Sequence, residues 1–486
     1  MSIFSRIKEW FMDKFPVKSV VKAFNLVLPD MQSMPDLIQE WAQLYEGHPE
    51  WLSLRGIDAK YPNLPAIVCY EVARCAASEL AISATDGVAQ DVIDRIIAPG
   101  LQKNVEMMLA QGAVCFRPWF DAEAGKLAID VYPADSFMPT GVTGGRVTSG
   151  VFIDRKVVHP TLGTVVGYTK LELQEYANGT ITVKTKAFRR DGGLSADNLG
   201  VEIPLTSVPE WAGITPEIVI TNVDGPAFVY MASPWAPKGV RMQGLGAAIF
   251  ADSTDLVEDF VDIYNDLRWE IESGKRAMIV ADSAIDTDEK GKEILDKTTR
   301  KLYRKLITGG ADASVKDTWA DYSPEIRVEP FLSAGKFTLG LASLSCHMDS
   351  GFFIWDERTG AVTAKEITTK EQKSYGTVCS VQSNSIEPAI KELIRVCSIF
   401  LDLYDSDSYD YRMVINDLTI AWGDSIMTDA DSERANAIME VQSGLRSVAS
   451  YLREFRGLSE AEALQEAERI RNERASAGPI DFFGGT

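Results

Sequence analysis

Residues 251–275, ADSTDLVEDFVDIYNDLRWEIESGK, constrain this chain more than any other stretch. Apolar side chains recur at Leu256, Phe260, Ile263, Leu267 and Ile271, at steps of three and four. Acids recur one residue earlier, at Asp255, Asp259, Asp262, Asp266 and Glu270. This spacing predicts one long helix carrying an apolar stripe beside an acidic stripe. The apolar stripe needs a partner surface, while the acidic stripe resists burial and repels polyanions. Two readings follow: a solvated face of a globular protein, or the wall of a channel along which something negative slides without sticking.

Composition narrows the choice. The chain has 486 residues, enough for two to four domains with a substantial core. Its 45% hydrophobic and 24% charged residues are ordinary for a folded protein and exclude a disordered or collagenous chain. The net charge of −21 argues against general binding of phosphate backbones over the surface, though not against a local basic ring. Cysteines at 69, 75, 115, 346, 379 and 397 show no CxxC spacing and sit mostly among apolar residues, so they read as reduced, buried thiols of a cytoplasmic product. No run is long enough for a transmembrane helix. The first fifteen residues carry charges too often for a signal peptide. Ile3, Phe4, Ile7, Trp10, Phe11 and Phe15 form one helical face, read as docking on this protein or a neighbouring subunit rather than on a membrane surface.

The pattern along the chain predicts an α+β, helix-rich protein. Helical segments are expected near 3–15, 34–46, 65–82 and 90–111. An antiparallel meander is expected over 125–230, with a turn at Asn178-Gly179 and another in GVTGGRVTSG (141–150). Residues 204–245 read as a Pro- and Gly-rich connection. After the acidic helix comes a compact insert, 276–331: a strand in RAMIVAD, a helix over 290–307 and a strand in EIRVEPF (325–331). The insert's helix, with Lys297, Arg300, Lys301, Arg304 and Lys305, is a basic island in an acidic protein. A second helix is expected at about 333–349 and a long one at 364–404, kinked near Gly376. A β segment near 410–421 and helices near 429–454 and 459–475 complete the chain.

Catalytic signals are weak. The three histidines lie far apart, and there is no HExxH, zinc spacing, GxSxG elbow or GxxxxGK[ST] phosphate loop. Asp405, Asp407 and Asp410 resemble a calcium loop only faintly, because Asp410 stands where that loop needs Gly and Asn416 where it needs Glu. No metal or cofactor is expected. With 70 acids, no carboxylate pair can be singled out as an acid/base couple.

Short motifs in order along nearly the whole chain resemble the portal proteins of tailed bacteriophages, in particular the type found in long-tailed phages of Gram-positive hosts. Ile38, Trp41, Tyr45, Gly47 and Trp51 match an I-x-x-W-x-x-x-Y-x-G-x-x-x-W motif, and PAIVCYEVARCAASELAI (65–82) is similar to an early wing helix. Ala134, Asp135, Phe137, Pro139 and Thr140 match an Ala-Asp-x-Phe-x-Pro-Thr element. The acidic helix resembles the first stem helix, running into the clip through Glu270, Gly274 and Lys275. Thr363, Ala364, Glu366 and Ile367 match a Thr-Ala-Thr-Glu-Ile/Val segment in which Lys365 replaces the second Thr. Residues 424–470 are like the C-terminal crown.

The resemblance implies a wing at 1–249, stem helices at 250–275 and 333–350, a clip at 276–332 and a tunnel loop at 351–363. A long wing helix with its β return, at 364–422, and a helical crown and tail, at 423–486, follow. It implies a homo-oligomeric ring of about twelve subunits with heterologous contacts. The ring would sit at a capsid vertex of the virion, after assembly in the host cytoplasm. Double-stranded DNA would pass through it without sequence specificity during packaging and ejection. Partners would be a terminase motor, connector or adaptor proteins and capsid or scaffolding proteins, with no membrane. The five acids would line or flank the tunnel, together with Lys365. Lys336 would give it a ring of positive charge or form a subunit salt bridge to the acidic helix, and Trp355 and Arg358 would narrow the bore or anchor a turn. The basic clip residues would serve docking, or pair with acids in the ring. The alternatives are an acidic multidomain hydrolase using a carboxylate pair, or another virion structural subunit.

Overall fold

The computed structural model describes residues 16–26, 34–55, 58–77, 80–121, 125–159, 164–195, 198–275, 277–281, 303–306, 319–322, 325–353, 372–404, 418–422, 437–441, 443, 445–456 and 459–476. Helices and strands are mixed, as the α+β reading requires. The chain divides into two compact units. The larger comprises Met1–Ser78, Ile82–Arg358 and Gln372–Ile420; the smaller comprises Glu79–Ala81, Thr359–Glu371 and Ala421–Thr486.

In the larger unit, helices α1 (Val17–Phe24), α2 (Met34–Glu46), α3 (Leu64–Ala77) and α4 (Leu101–Gln111) precede the sheets. Helix α2 buries Ile38, Trp41 and Leu44 at the spacing of an amphipathic helix. The expected helix over 65–82 stops at Ala77, and Leu80–Ser83 is a strand. The helical run into α4 carries a π-helical segment, Ile93–Ile97, followed by a tight turn containing Pro99. Proline lacks the N–H that a regular ladder needs there.

The meander forms two sheets. The first holds β1 (Ala113–Asp121), β2 (Lys126–Pro133) and, returning beside β1, a strand at Val229–Ala232. The second runs β3 (Phe137–Thr143), β4 (Arg146–Val158), β5 (Val166–Ala177) and β6 (Thr180–Asp191). Two short strands, β7 (Val201–Ile203) and β8 (Glu217–Thr221), both pair with β6. The stretch 204–245 is therefore not mere connection; it supplies one strand to each sheet. Turn chemistry sets the hairpins. Asn178 and Gly179 take φ of 51° and 75°, and Gly144 and Gly145 take 59° and 77°, the left-handed pairs that two-residue hairpins demand.

Phe137, Phe152 and Phe228 form the aromatic core, with ring centroids 4.8–5.7 Å apart, and Tyr132 packs edge-on against Phe152 at 4.9 Å. Gly150 faces the Phe137 ring so closely that a Cβ there would overlap it. Strand β5 alternates Leu171 and Leu173 with Lys170, Glu172 and Gln174, yet both faces are buried. The charges on its polar face are paired internally, although Gln174 Oε1 and Arg117 Nε are buried without a hydrogen-bond partner. Arg117 bonds Glu172 at 2.6 Å and Asp130 at 2.9 Å, and Lys170 bonds Asp154 at 2.7 Å.

Helix α5 (Thr254–Ser273) and helix α6 (Val328–Ser345) flank the insert, whose described part is a three-stranded sheet. Its central strand, β9 (Ala277–Ala281), pairs parallel with β10 (Tyr303–Leu306) and antiparallel with β11 (Trp319–Tyr322). Two expectations are corrected here. The end of the basic helix expected over 290–307 is a strand at 303–306, so Arg304 and Lys305 lie in a sheet, where pairing with β9 overrides the helical spacing; residues 290–302 lie outside the described residues. The strand expected at 325–331 is the start of α6, with Glu329 and Pro330 in its first turn, where proline is tolerated.

Helices α7 (Gln372–Val381) and α8 (Glu387–Tyr404) are the described part of the expected long helix. The irregularity falls in a π-helical segment at Gln382–Ile386, not at Gly376. In the smaller unit, α9 (Val448–Arg456) and α10 (Glu460–Ser476) fall where the two C-terminal helices near 429–454 and 459–475 were expected; residues 437–441 are also helical, and 429–436 lie outside the described residues. Ser459 and Glu462 cap α10 reciprocally: Ser459 N donates to Glu462 Oε2 at 3.0 Å, and Glu462 N donates to Ser459 Oγ at 3.4 Å.

Candidate functional site

The acidic helix is present. At a rise of about 1.5 Å per residue its length is on the order of 30 Å. Its burial differs from the simple stripe. Val257 and Val261, one turn apart, are its fully buried apolar side chains, whereas Leu256, Phe260, Ile263 and Leu267 are half-buried and Ile271 is exposed. The partner face on α6 is made of small residues: Gly335, Thr338, Ala342 and Ser343 are buried. Phe260 and Ile263 stand over Gly335, where a Cβ would lie 3.7 and 3.9 Å from them. Close approach of the two helices is thus permitted by side-chain size.

The five acids separate into two groups. Asp255, Asp259 and Asp266 are exposed. Asp262 is held by Arg55, which also bonds Glu258 at 2.6 Å and lies 4.6 Å over the Trp51 ring. Glu270 is buried and chelated by Arg327, with Nε–Oε1 at 3.0 Å and Nη2–Oε2 at 2.9 Å. That bidentate bond holds the Glu270 carboxyl below the usual carboxylate range. Burial raises the Glu40 carboxyl, and the charge of Asp255 adds to the shift.

Sequence reasoning missed Arg55, Arg327 and the segment around 51–61. That segment lies along α5. Lys60 N donates to Asn265 Oδ1 and Asn265 Nδ2 to Lys60 O, both at 2.8 Å, while Arg268 Nη1 donates to Asp58 O at 3.1 Å. Tyr61 then ties it to α2 through Leu44 O at 2.9 Å. The signal that could have found Arg55 is its spacing of four from Trp51, which places guanidinium over indole in a helical turn.

The far ends of α5 and α6 meet in a buried contact, Ser253 Oγ to Cys346 Sγ at 3.3 Å. His347, at φ 61°, follows α6 and stacks on Trp235 at 5.1 Å, and burial depresses its imidazole pKa. Lys336 lies exposed on α6. Trp355, Arg358, Lys365, Lys297, Arg300, Lys301 and the acidic loop at 405–410 lie outside the described residues, as does the N-terminal helix expected at 3–15. Among the described residues no group of three His, Cys, Asp or Glu side chains is placed to hold a metal ion, and no helix is long and apolar enough to cross a membrane.

Large apolar side chains are exposed on the two helices as well. Trp269 on α5 and Phe337 on α6 are 67% and 69% exposed, and Leu332, Leu341 and Leu344 on α6 are also exposed. Side chains of this size stand out on paired helices when another surface covers them.

The family of phage portal proteins described as SPP1 Gp6-like matches residues 100–479. The chain belongs to that family, a structural component of the virion and not an enzyme family. No curated protein matches. Among solved structures, the neck of an empty GTA particle computed with C6 symmetry is similar at 10% identity and a TM-score of 0.38, covering 82% of this chain and 90% of that one. The virion of a native gene transfer agent (GTA) particle is similar at 10% identity and a TM-score of 0.36, covering 88% and 94%. The neck of a native GTA particle computed with C12 symmetry is similar at 11% identity and a TM-score of 0.33, covering 82% and 91%.

Proposed function

We propose that the protein is the subunit of a portal ring at a capsid vertex, a conduit for packaging and ejecting double-stranded DNA. Membership of the portal family carries the reading, and the uncovered apolar residues of α5 and α6 give it a physical basis. In a closed ring of about twelve copies, each pair of helices would meet its neighbours and cover Trp269, Phe337 and Leu341. Asp255, Asp259 and Asp266, repeated around the ring, would keep a polyanion from adhering, and Lys336 would supply one ring of transient phosphate contacts. Trp355, Arg358 and Lys365 belong to the proposed tunnel loop and the segment after it.

In this reading residues 1–249 are the wing, 250–275 and 333–350 the stem, 276–332 the clip, 351–363 the tunnel loop, 364–422 a further wing segment and 423–486 the crown and tail. The clip's basic residues would meet the terminase motor and later the connector, and capsid or scaffolding proteins would surround the wing. The finer likeness to portals of long-tailed phages of Gram-positive hosts rests on the motifs around Trp41 and Thr363. Family membership sets aside the hydrolase alternative.

Native mass spectrometry with negative-stain imaging tests the reading. A closed ring with a central hole is expected. Phe337→Asp should leave a folded chain that no longer closes rings. Persistent monomers of the unmodified chain, alone and with its capsid and scaffolding proteins, would overturn the reading.

A further inference from the structure

The sheet β3–β8 has two unlike open edges. At one end, β8 pairs with β6 through Thr180–Lys184 and has no strand on its other side among the described residues. Its sequence is EIVIT, and Glu217, Ile218, Val219 and Thr221 are all exposed, with Val219 at 56%. No Lys or Pro within the strand blunts this edge, the usual protection against pairing with another chain. At the other end, β3 covers β4 only as far as Phe152. Residues 153–158, IDRKVV, have β5 on one side and no strand on the other among the described residues. Val157 and Val158 are exposed there. A groove of about 460 Å³ lies beside the start of this edge, between Ile153, Asp154 and Arg155 and the side chains of Ile38, Ala42 and Val131.

We propose that β8 of one copy adds to residues 153–158 of β4 in the next, so that one sheet continues from copy to copy around the ring. The proposal rests on the ring reading above and identifies a contact outside the paired helices. Three observations select a second copy as the occupant. The lengths agree, five residues against six. The directions agree as well. Pairings β4–β5, β5–β6 and β6–β8 are all antiparallel, so β8 runs opposite to β4. The modest rotation between neighbours in a cyclic ring preserves that relation, and the antiparallel ladder continues across the boundary. The ends also match: antiparallel docking brings Glu217 to the Val157–Val158 end, where Lys156, paired with Glu210 of its own chain, would have to be shared between two carboxylates, and Thr221 toward the groove. One edge is the donor and the other the acceptor, which is what a heterologous, ring-closing contact requires.

The test is a double variant of the full chain, Val157→Cys with Val219→Cys, treated after assembly with a flexible bis-maleimide. A covalent ladder of copies is expected from the double variant and not from either single variant or the unmodified chain. As a second arm, Val219→Lys should reduce ring yield at least tenfold while leaving the far-UV circular dichroism unchanged. Rings that assemble normally from Val219→Lys, or that give no ladder from the double variant, would overturn the edge contact and leave the ring reading intact. A cross-link joining this chain to capsid protein instead of to another copy would also overturn it. Failure of the unmodified chain to form rings under all conditions would defeat the ring reading itself, and this contact with it.

Discussion

Gly150 and Phe152 show how much a single position carries. Phe152 is fully buried and touches Phe137, Phe228 and Tyr132, so Phe152→Ala removes packing on three sides and should cost about 3–5 kcal/mol. Gly150→Ala has the opposite defect, because the added methyl meets the Phe137 ring; it should cost about 1–3 kcal/mol, read as a lower urea midpoint with an unchanged slope. Neither residue stands out in the sequence: SGVF reads as ordinary strand, and only the return of Phe228 to the same place makes the site crowded. The thiols were legible. Cys69, Cys115, Cys346 and Cys397 are buried, and burial pushes Cys346 and Cys397 up to about 12. Alkylation at neutral pH should therefore reach only the half-buried Cys75 and Cys379, with mass spectrometry of the native chain as the readout.

Among the elements, the α5–α6 pair carries the functional argument. Its polar clamps differ in kind. Arg55 and Asp262 are both partly exposed to water, so Arg55→Ala should cost only about 1 kcal/mol and less at high salt. Glu270 answers to pH. Its carboxyl titrates below the unfolded value, so the stabilisation from Arg327 is present at neutral pH and lost as the pH falls through the depressed folded value. An acid titration of Glu270→Gln should show a smaller loss of stability in that range than the parent chain, followed by circular dichroism. The sequence placed Glu270 on an acidic stripe with four other carboxylates. The structure separates it from them, because Arg327, just before α6, returns across the insert to reach it.

At the scale of the whole molecule, a net charge of −21 and the three exposed acids of α5 combine in one expectation. Assembled rings should hold duplex DNA weakly. Replacing Asp255, Asp259 and Asp266 together by Lys should raise retention at low salt, and the gain should fall steeply as salt rises. A filter-binding series over salt concentration checks this; retention unchanged by the triple variant would place these acids away from the DNA path.

Periodicity and turn chemistry alone determined a good part of this protein. Helix α5, the β4–β5–β6 meander with its Asn178-Gly179 turn and the buried thiols were all readable, because each depends on neighbours within a few residues. So was the family, whose motifs are local strings. Contacts distant in sequence decided the rest. Tyr303–Leu306 is a strand because Ala277–Ala281 lies beside it. Glu172 and Lys170 of β5 are buried because Arg117 and Asp154 pair with them, although an alternating strand ordinarily turns such a face to water. Which acids of α5 stay free was settled by Arg55 and Arg327, whose approach depends on how the chain folds back and not on any spacing within the helix itself.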